Sequence, residues 1–157
     1  MSTYYTIKDV AKRTGISAYT LRYYDKEGLL PFVRRSDSGI RIFTEEDFEP
    51  LYTITVLKKS GMPISNIRAF MELYVKGDET LHERKLMFEE HKKNLQAKID
   101  ELNEMMKIVD YKCWYFGEAE KHGDINYYQK LPENEIDQRI IDFMNVLNDF
   151  RKDPAED

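Results

Sequence analysis

Apolar residues follow two rhythms along this chain, one helical and one alternating. Thr6 followed by Asp9 reads as a helix start, since a hydroxyl can cap the third amide and an acid suits the first turn. Val10 and Ala11 continue that helix, and Thr14-Gly15 ends it through a glycine cap. Ile16 is apolar, and Ser17 opens a second helix that carries Leu21, Arg22 and Tyr24 and stops at Gly28. A short helix, a tight glycine turn and a second helix make the helix-turn-helix pattern.

Leu29-Leu30-Pro31 closes this unit. Two β-prone runs, Phe32-Val33-Arg34-Arg35 and Ile40-Arg41-Ile42-Phe43, flank the polar turn Ser36-Asp37-Ser38-Gly39 and predict a hairpin wing. Thr44-Glu45-Glu46-Asp47 is a strong helix start. The helix behind it is apolar at Phe48, Leu51, Tyr52, Ile54, Val56 and Leu57 and ends at Lys58-Lys59-Ser60-Gly61. Pro50 falls inside it and is expected to remove a backbone hydrogen bond or bend the helix. Pro63 precedes another helix, with Ile64, Ile67, Phe70, Met71 and Tyr74, ended by Gly77.

From Thr80 to Gly117 the pattern changes to heptads. Leu81, Phe88, Leu95, Leu102, Val109 and Phe116 recur every seventh position, with Ile99, Met106 and Cys113 on a second row. Lys85 and Lys92 interrupt that second row at its start. A lone helix of about 55 Å cannot bury such a stripe by itself, so a partner helix is expected, most simply from a second copy. Beyond Gly117 the chain turns polar, with Gly123, Asn126 and Pro132. Residues 133–152 predict a last helix with Ile136, Ile140, Phe143, Met144 and Leu147 on one face, and a frayed tail at 153–157. There is no internal repeat or low-complexity segment.

The fold class expected is mostly α: a winged helix-turn-helix unit with a small β-hairpin, a long antiparallel dimerisation helix and a short C-terminal helix. Three parts follow, at 4–75, 80–117 and 118–157. Charge sharpens this division. The 157 residues carry a net charge of -5, which by itself argues against nucleic acid. Residues 1–75, however, hold 11 basic and 9 acidic residues, a balance of +2, and the remainder holds 13 and 20, a balance of -7. An aromatic content of 13% argues against general disorder. One cysteine excludes an intrachain disulfide and suits a reducing cytoplasm. No apolar leader and no run of about 18 apolar residues is present, so neither a signal peptide nor a membrane span is expected.

The densest motif is Leu21-Arg22-Tyr23-Tyr24-Asp25 with Gly28-Leu29-Leu30, followed by Gly39-Ile40-Arg41-Ile42-Phe43 and Thr44-Glu45-Glu46-Asp47. Over residues 4–75 this order resembles the MerR family of bacterial transcription regulators. The resemblance implies a cytoplasmic homodimer on double-stranded promoter DNA, with each recognition helix in a major groove, wings beside it and RNA polymerase at the same promoter. Family members bend and untwist an over-long promoter spacer, a deformation of about 1–10 kcal/mol. An effector must favour that state by a few kcal/mol to switch it usefully.

Ser17, Tyr19, Thr20 and Arg22 are the candidates for base edges. Tyr23, Tyr24 and Arg41 match family contacts to the DNA backbone, and Arg34, Arg35, Lys58 and Lys59 are further phosphate candidates. The competing readings are a core role for one of the two tyrosines and solvated turn charges for Arg34 and Arg35. Many family members carry tyrosine where this chain has Ile40 and Phe43; Ile40 cannot donate a hydrogen bond.

Leu81, Phe88, Leu95, Ile99, Leu102, Met106 and Val109 are the dimerisation candidates. No cofactor or metal is expected. Family metal sensors place cysteines near the end of this helix, where this chain has only Cys113. In an antiparallel pair, Cys113 approaches His82 of the other copy, which raises a thiol or metal alternative. A buried apolar role for Cys113 competes with it. Aldehyde-sensing members carry a reactive cysteine about where Val56 stands. Tyr111, Trp114, Tyr115, Phe116, Tyr127 and Tyr128 raise a third alternative, a small apolar effector pocket closed by the last helix. A coiled-coil interaction module with degraded DNA binding is the rival from another class. An enzyme is not expected, because there is no nucleophile–base pair, phosphate loop or zinc spacing.

Overall fold

The capping residues set the first two helices. In the computed structural model, which describes residues 3–132 and 137–151, helix α1 spans Ile7–Thr14 and α2 spans Ala18–Lys26. Thr6 Oγ1 accepts from the Asp9 amide at 3.3 Å, and Asp9 Oδ2 accepts from the Thr6 amide at 2.8 Å. This reciprocal box satisfies two amides that the helix itself cannot. Gly15 leaves α1 with φ 73° and donates to Ala11 O, a conformation open to glycine without strain. Ser17 then caps α2 by accepting from the Thr20 amide at 3.0 Å.

The hairpin is short. Strand β1 (Arg34–Arg35) pairs antiparallel with β2 (Arg41–Ile42), in the register Arg34 opposite Ile42 and Arg35 opposite Arg41. Phe43 extends the pairing to Tyr5, whose amide donates to Phe43 O at 2.8 Å, so the N-terminal segment is tied to the wing's second strand. A 3-10 turn, Glu45–Asp47, leads into α3 (Phe48–Lys59), and α4 spans Ile64–Lys76. Pro50 is the third residue of α3 and is buried. An amide there has no acceptor within the helix, so the expected loss of a ladder hydrogen bond does not occur.

Residues 1–95 and 96–157 form two separate compact units. The first has one core, built from Val10, Leu21 and Tyr24 of α1 and α2, Leu29 and Phe43 around the wing, Leu51, Ile54 and Leu57 of α3, and Ile67 and Met71 of α4. Each fully buried aliphatic side chain contributes about 1.5–3 kcal/mol. The early part of α5 belongs to this unit: Phe88 meets Phe70 edge-on with ring centroids 5.1 Å apart, and Ser60 Oγ lies 2.6 Å from His91 Nε2.

Helix α5 runs over Leu81–His122 and passes through Gly117, where an end was expected. A single glycine costs about 1 kcal/mol in a helix interior, too little to stop strong flanking helix formers. The end comes at Gly123, with φ 63°, after which the Asp124 amide donates to Ala119 O. Of the heptad stripe, Leu95 is half-buried, whereas Leu81, Phe88, Ile99, Leu102, Met106, Val109 and Phe116 are exposed in the single chain, Leu102 by 62%.

The second unit packs α6 (Gln138–Arg151) against the end of α5. The rings of Tyr111 and Phe143 stack at 4.0 Å. Val146, which the apolar face read from the sequence passes over, is buried, while Met144 is exposed. Ile136 and the tail after residue 151 lie outside the described residues.

Candidate nucleic-acid interface

Helix α2 offers an exposed face with unspent donors. Tyr19 is 81% exposed, and Arg22 is exposed with no hydrogen bond or ion pair among the described residues. Tyr19, Arg22 and Tyr23 share a face by their helical spacing. Ser17 and Thr20 are partly committed elsewhere: their hydroxyls bond each other at 2.8 Å while Ser17 caps the helix. Tyr23 is half-buried, with the Lys58 ammonium 4.8 Å from its ring centroid. That contact pins the C-terminal end of α3 beside α2. Lys59 is exposed.

Tyr24 departs from its expected backbone contact. Its side chain is buried in the core with Leu21, three residues earlier on the inward face of α2. Of the adjacent tyrosines, therefore, only Tyr23 has exposed surface to offer.

The wing arginines divide as well. Arg34 is exposed and makes no ion pair among the described residues. Arg35 and Arg41 both pair with Asp25 of α2, Arg35 at 2.8 Å. Arg41 is half-buried, and its Nε is buried with no partner among the described residues. Sequence pattern did not single out Asp25; its spacing from Arg41 is 16 residues, and no local rule links them. Burial alone would raise the Asp25 carboxyl, but the hydrogen bond and charge of Arg41, with Arg35 behind it, outweigh burial and hold it below the usual carboxylate range.

A second latch went unread. Arg13 of α1 makes a bidentate pair with Glu45, both contacts at 2.8 Å, and the Tyr5 hydroxyl donates to the same carboxylate at 2.8 Å. These hydrogen bonds lower the Glu45 carboxyl and raise the Tyr5 phenol. A third contact, Arg68 Nε donating to Glu27 O at 2.6 Å, fastens the end of α2 to α4. A Cβ at Gly28, where φ is 72°, would meet Arg68 Nε at 3.4 Å.

Residues 5–73 match the model of the MerR HTH family regulatory proteins, and residues 49–110 match that of MerR DNA-binding regions. An uncharacterised helix-turn-helix regulator of Haemophilus influenzae is 41% identical over 121 residues, which cover 77% of this chain and 90% of the relative. The crystal structure of HiNmlR, described as a MerR family regulator lacking the sensor domain and bound to promoter DNA, superposes with a TM-score of 0.68 at 40% identity. That match covers 81% of this chain and 99% of the other. A MerR family regulator of Bacillus thuringiensis gives a TM-score of 0.63 at 37% identity, covering 71% and 97%. The chain belongs to the MerR family of DNA-binding transcription regulators.

The effector candidates of this MerR protein are less concentrated. Cys113 is exposed in the single chain, like Met106 on the same heptad row, so a buried apolar role for it needs a partner helix. Cys113 lines an open cleft of about 520 Å³ with Lys107, Asp110, Trp114, Arg139 and Asp142, which joins apolar surface to charged groups. Trp114 and Tyr115 are half-buried, and the Tyr115 hydroxyl donates to Ile125 O at 2.6 Å. The Tyr127 ring stacks on His122 at 3.7 Å, away from Cys113 in the cleft lining, and Phe116 is exposed. The side chain of Tyr128 lies outside those described. His82 is exposed on the first unit. Among the described residues no cluster of three or more His, Cys, Asp or Glu is placed to hold a metal ion, and no helix is long and apolar enough to cross a membrane.

Proposed function

We propose that the chain acts in the cytoplasm as a homodimer on promoter DNA, with α2 in the major groove and the wing against the backbone. Tyr19 and Arg22 read base edges in this arrangement, and Tyr23, Arg34, Lys58 and Lys59 meet phosphates. The carrying observation is the unopposed Arg22 fork and exposed Tyr19 on a capped helix, beside a wing fastened to that helix. Arginine presented this way bonds a guanine edge through two donors. The promoter complex of HiNmlR, 99% covered by this chain, supports the same partner here.

Dimerisation runs through the exposed stripe of α5, including Leu81, Phe88, Ile99, Leu102, Met106 and Val109.

 Leu95, half-buried, keeps that row apolar through its middle. On this reading the dimer distorts the promoter spacer so that RNA polymerase engages both of its recognition elements. A signal reaches it near the end of α5. The exposed Cys113 thiol in a cleft with Lys107 and Arg139 suits thiol chemistry or a ligand with both apolar and charged parts. Residues 4–75 read DNA, 80–117 dimerise and 118–157 receive the signal or pack on the coil.

The test is binding of the purified protein to the DNA upstream of its own gene and to a scrambled duplex, at several salt concentrations, beside Arg22→Ala. Selective binding that Arg22→Ala weakens by about 1–3 kcal/mol and relaxes at one base position supports the reading. Weak, equal binding to both duplexes, indifferent to Arg22, overturns it in favour of a coiled-coil interaction module.

A further inference from the structure

One carboxylate on the recognition helix gathers an arginine from each strand of the wing. Asp25 Oδ2 accepts from Arg35 Nη2 at 2.8 Å and from Arg41 Nη2. Arg35 and Arg41 face each other in the hairpin register, and Arg35 Nη1 also donates to Gly39 O at 3.2 Å in the wing turn. A single anion therefore fixes both strands and the turn of the wing to α2. The Asp25 side chain is 18% exposed, that of Arg41 25% and that of Arg35 50%. The pair is sheltered enough to set geometry, yet both arginines keep surface for a phosphate: a quarter of the Arg41 side chain and half of that of Arg35 face solvent.

We infer that Asp25 is a specificity-determining positioning residue, which holds Arg35 and Arg41 so that they engage phosphate only when α2 is seated on its bases. The inference rests on the proposed DNA reading. When α2 is seated, the duplex is oriented by base contacts, and its phosphates arrive at the arginine donors that Asp25 leaves free. On arbitrary DNA no base contact supplies that orientation. A phosphate must then draw an arginine away from a carboxylate already bonded to it, next to a like charge. Asp25 thereby weakens indiscriminate binding more than seated binding. Ion pairing within a protein and counterion release on DNA compete for the same guanidinium.

The experiment uses a duplex selected from a random pool by the wild-type full-length protein, and a scrambled duplex of equal length and composition. Binding is measured across a salt series for wild type, Asp25→Asn and Arg35→Ala, with thermal unfolding as a check that each variant is folded. Asp25→Asn is expected to bind the scrambled duplex about three- to tenfold tighter, with a salt slope steeper by about one. It gains nothing on the selected duplex, so the specificity ratio falls by the same factor, about three- to tenfold. Arg35→Ala, at an exposed position that does not threaten folding, is expected to weaken the selected duplex about fivefold and the scrambled one less than twofold.

Equal tightening on both duplexes would make Asp25 a local charge only. Equal weakening at an unchanged slope would make it merely structural, and no change would remove it from the interface; each overturns the inference. For Arg35→Ala, equal weakening of both duplexes does the same, whether or not Asp25→Asn folds. Failure of the wild-type protein to select any duplex is a separate outcome, which overturns the DNA reading itself.

Discussion

The two compact units of this chain are stabilised differently. Residues 1–95 enclose a continuous core, with Leu21, Leu29, Phe43, Leu51, Ile54, Ile67 and Met71 almost wholly removed from solvent. In residues 96–157 the buried apolar residues among those described are Tyr111 and Val146, while Leu102, Met106, Val109 and Phe116 stay exposed. The first unit has a closed core of its own, although Leu81 and Phe88 at its end are exposed. The second unit continues their exposed apolar stripe along α5, a surface that suits a partner. Reading DNA needs a preorganised surface, and the unit holding the proposed reading face is the one with its own core.

The largest expected effect tests that contrast directly. Leu51→Ala, in the core of the first unit, is expected to cost about 2–5 kcal/mol in denaturant unfolding. Leu102→Ala is expected to leave the dilute monomer's stability within about 0.5 kcal/mol of wild type, as exposed substitutions do. Comparable losses at high dilution would break the contrast. Leu102→Glu sharpens it further. Sedimentation should shift toward monomer, and affinity for a two-half-site duplex should fall roughly 100-fold with single-half-site binding retained. Unchanged sedimentation would remove the stripe from the dimer interface.

A smaller effect concerns how the first unit begins. Thr6→Ala removes the capping hydroxyl of α1 and should lower stability by about 1 kcal/mol, read as a shift in the thermal midpoint. No shift would mean the box contributes nothing beyond shape. The smallest is acid sensitivity. The Asp25 carboxyl is held below its unfolded value, so its pairing adds stability above about pH 4 and loses it as pH falls through the folded value. Asp25→Asn should flatten that part of the stability–pH profile. A profile that keeps its slope would assign the acid transition to other carboxylates.

Local chemistry made much of the first unit legible. Thr6, Ser17, Gly15, Gly28, Pro63 and Gly77 announce helix ends through their own side chains or backbone freedom, and the structure uses each of them at a helix boundary. The hairpin was legible from its turn. What stayed hidden depends on neighbours distant in sequence. Tyr23 and Tyr24 are identical residues side by side, and only the packing of Leu21 against the rest of the core separates an accessible ring from a buried one. Asp25 reads as an ordinary helix acid until the wing folds back beside it. Gly117 carries a local stop signal that a long helix overrides, and Val146 is buried in α6 where the sequence reading named its neighbours.

The order of the two units along the chain has a consequence for synthesis. Domains fold as units from the N-terminus while the chain is being made. The core of the first unit is complete by residue 95, but most of the exposed stripe is still untranslated at that point. A nascent chain thus holds the DNA-binding unit before it holds most of the stripe proposed to pair it with a second copy. On that proposal, pairing waits until the long helix has been made.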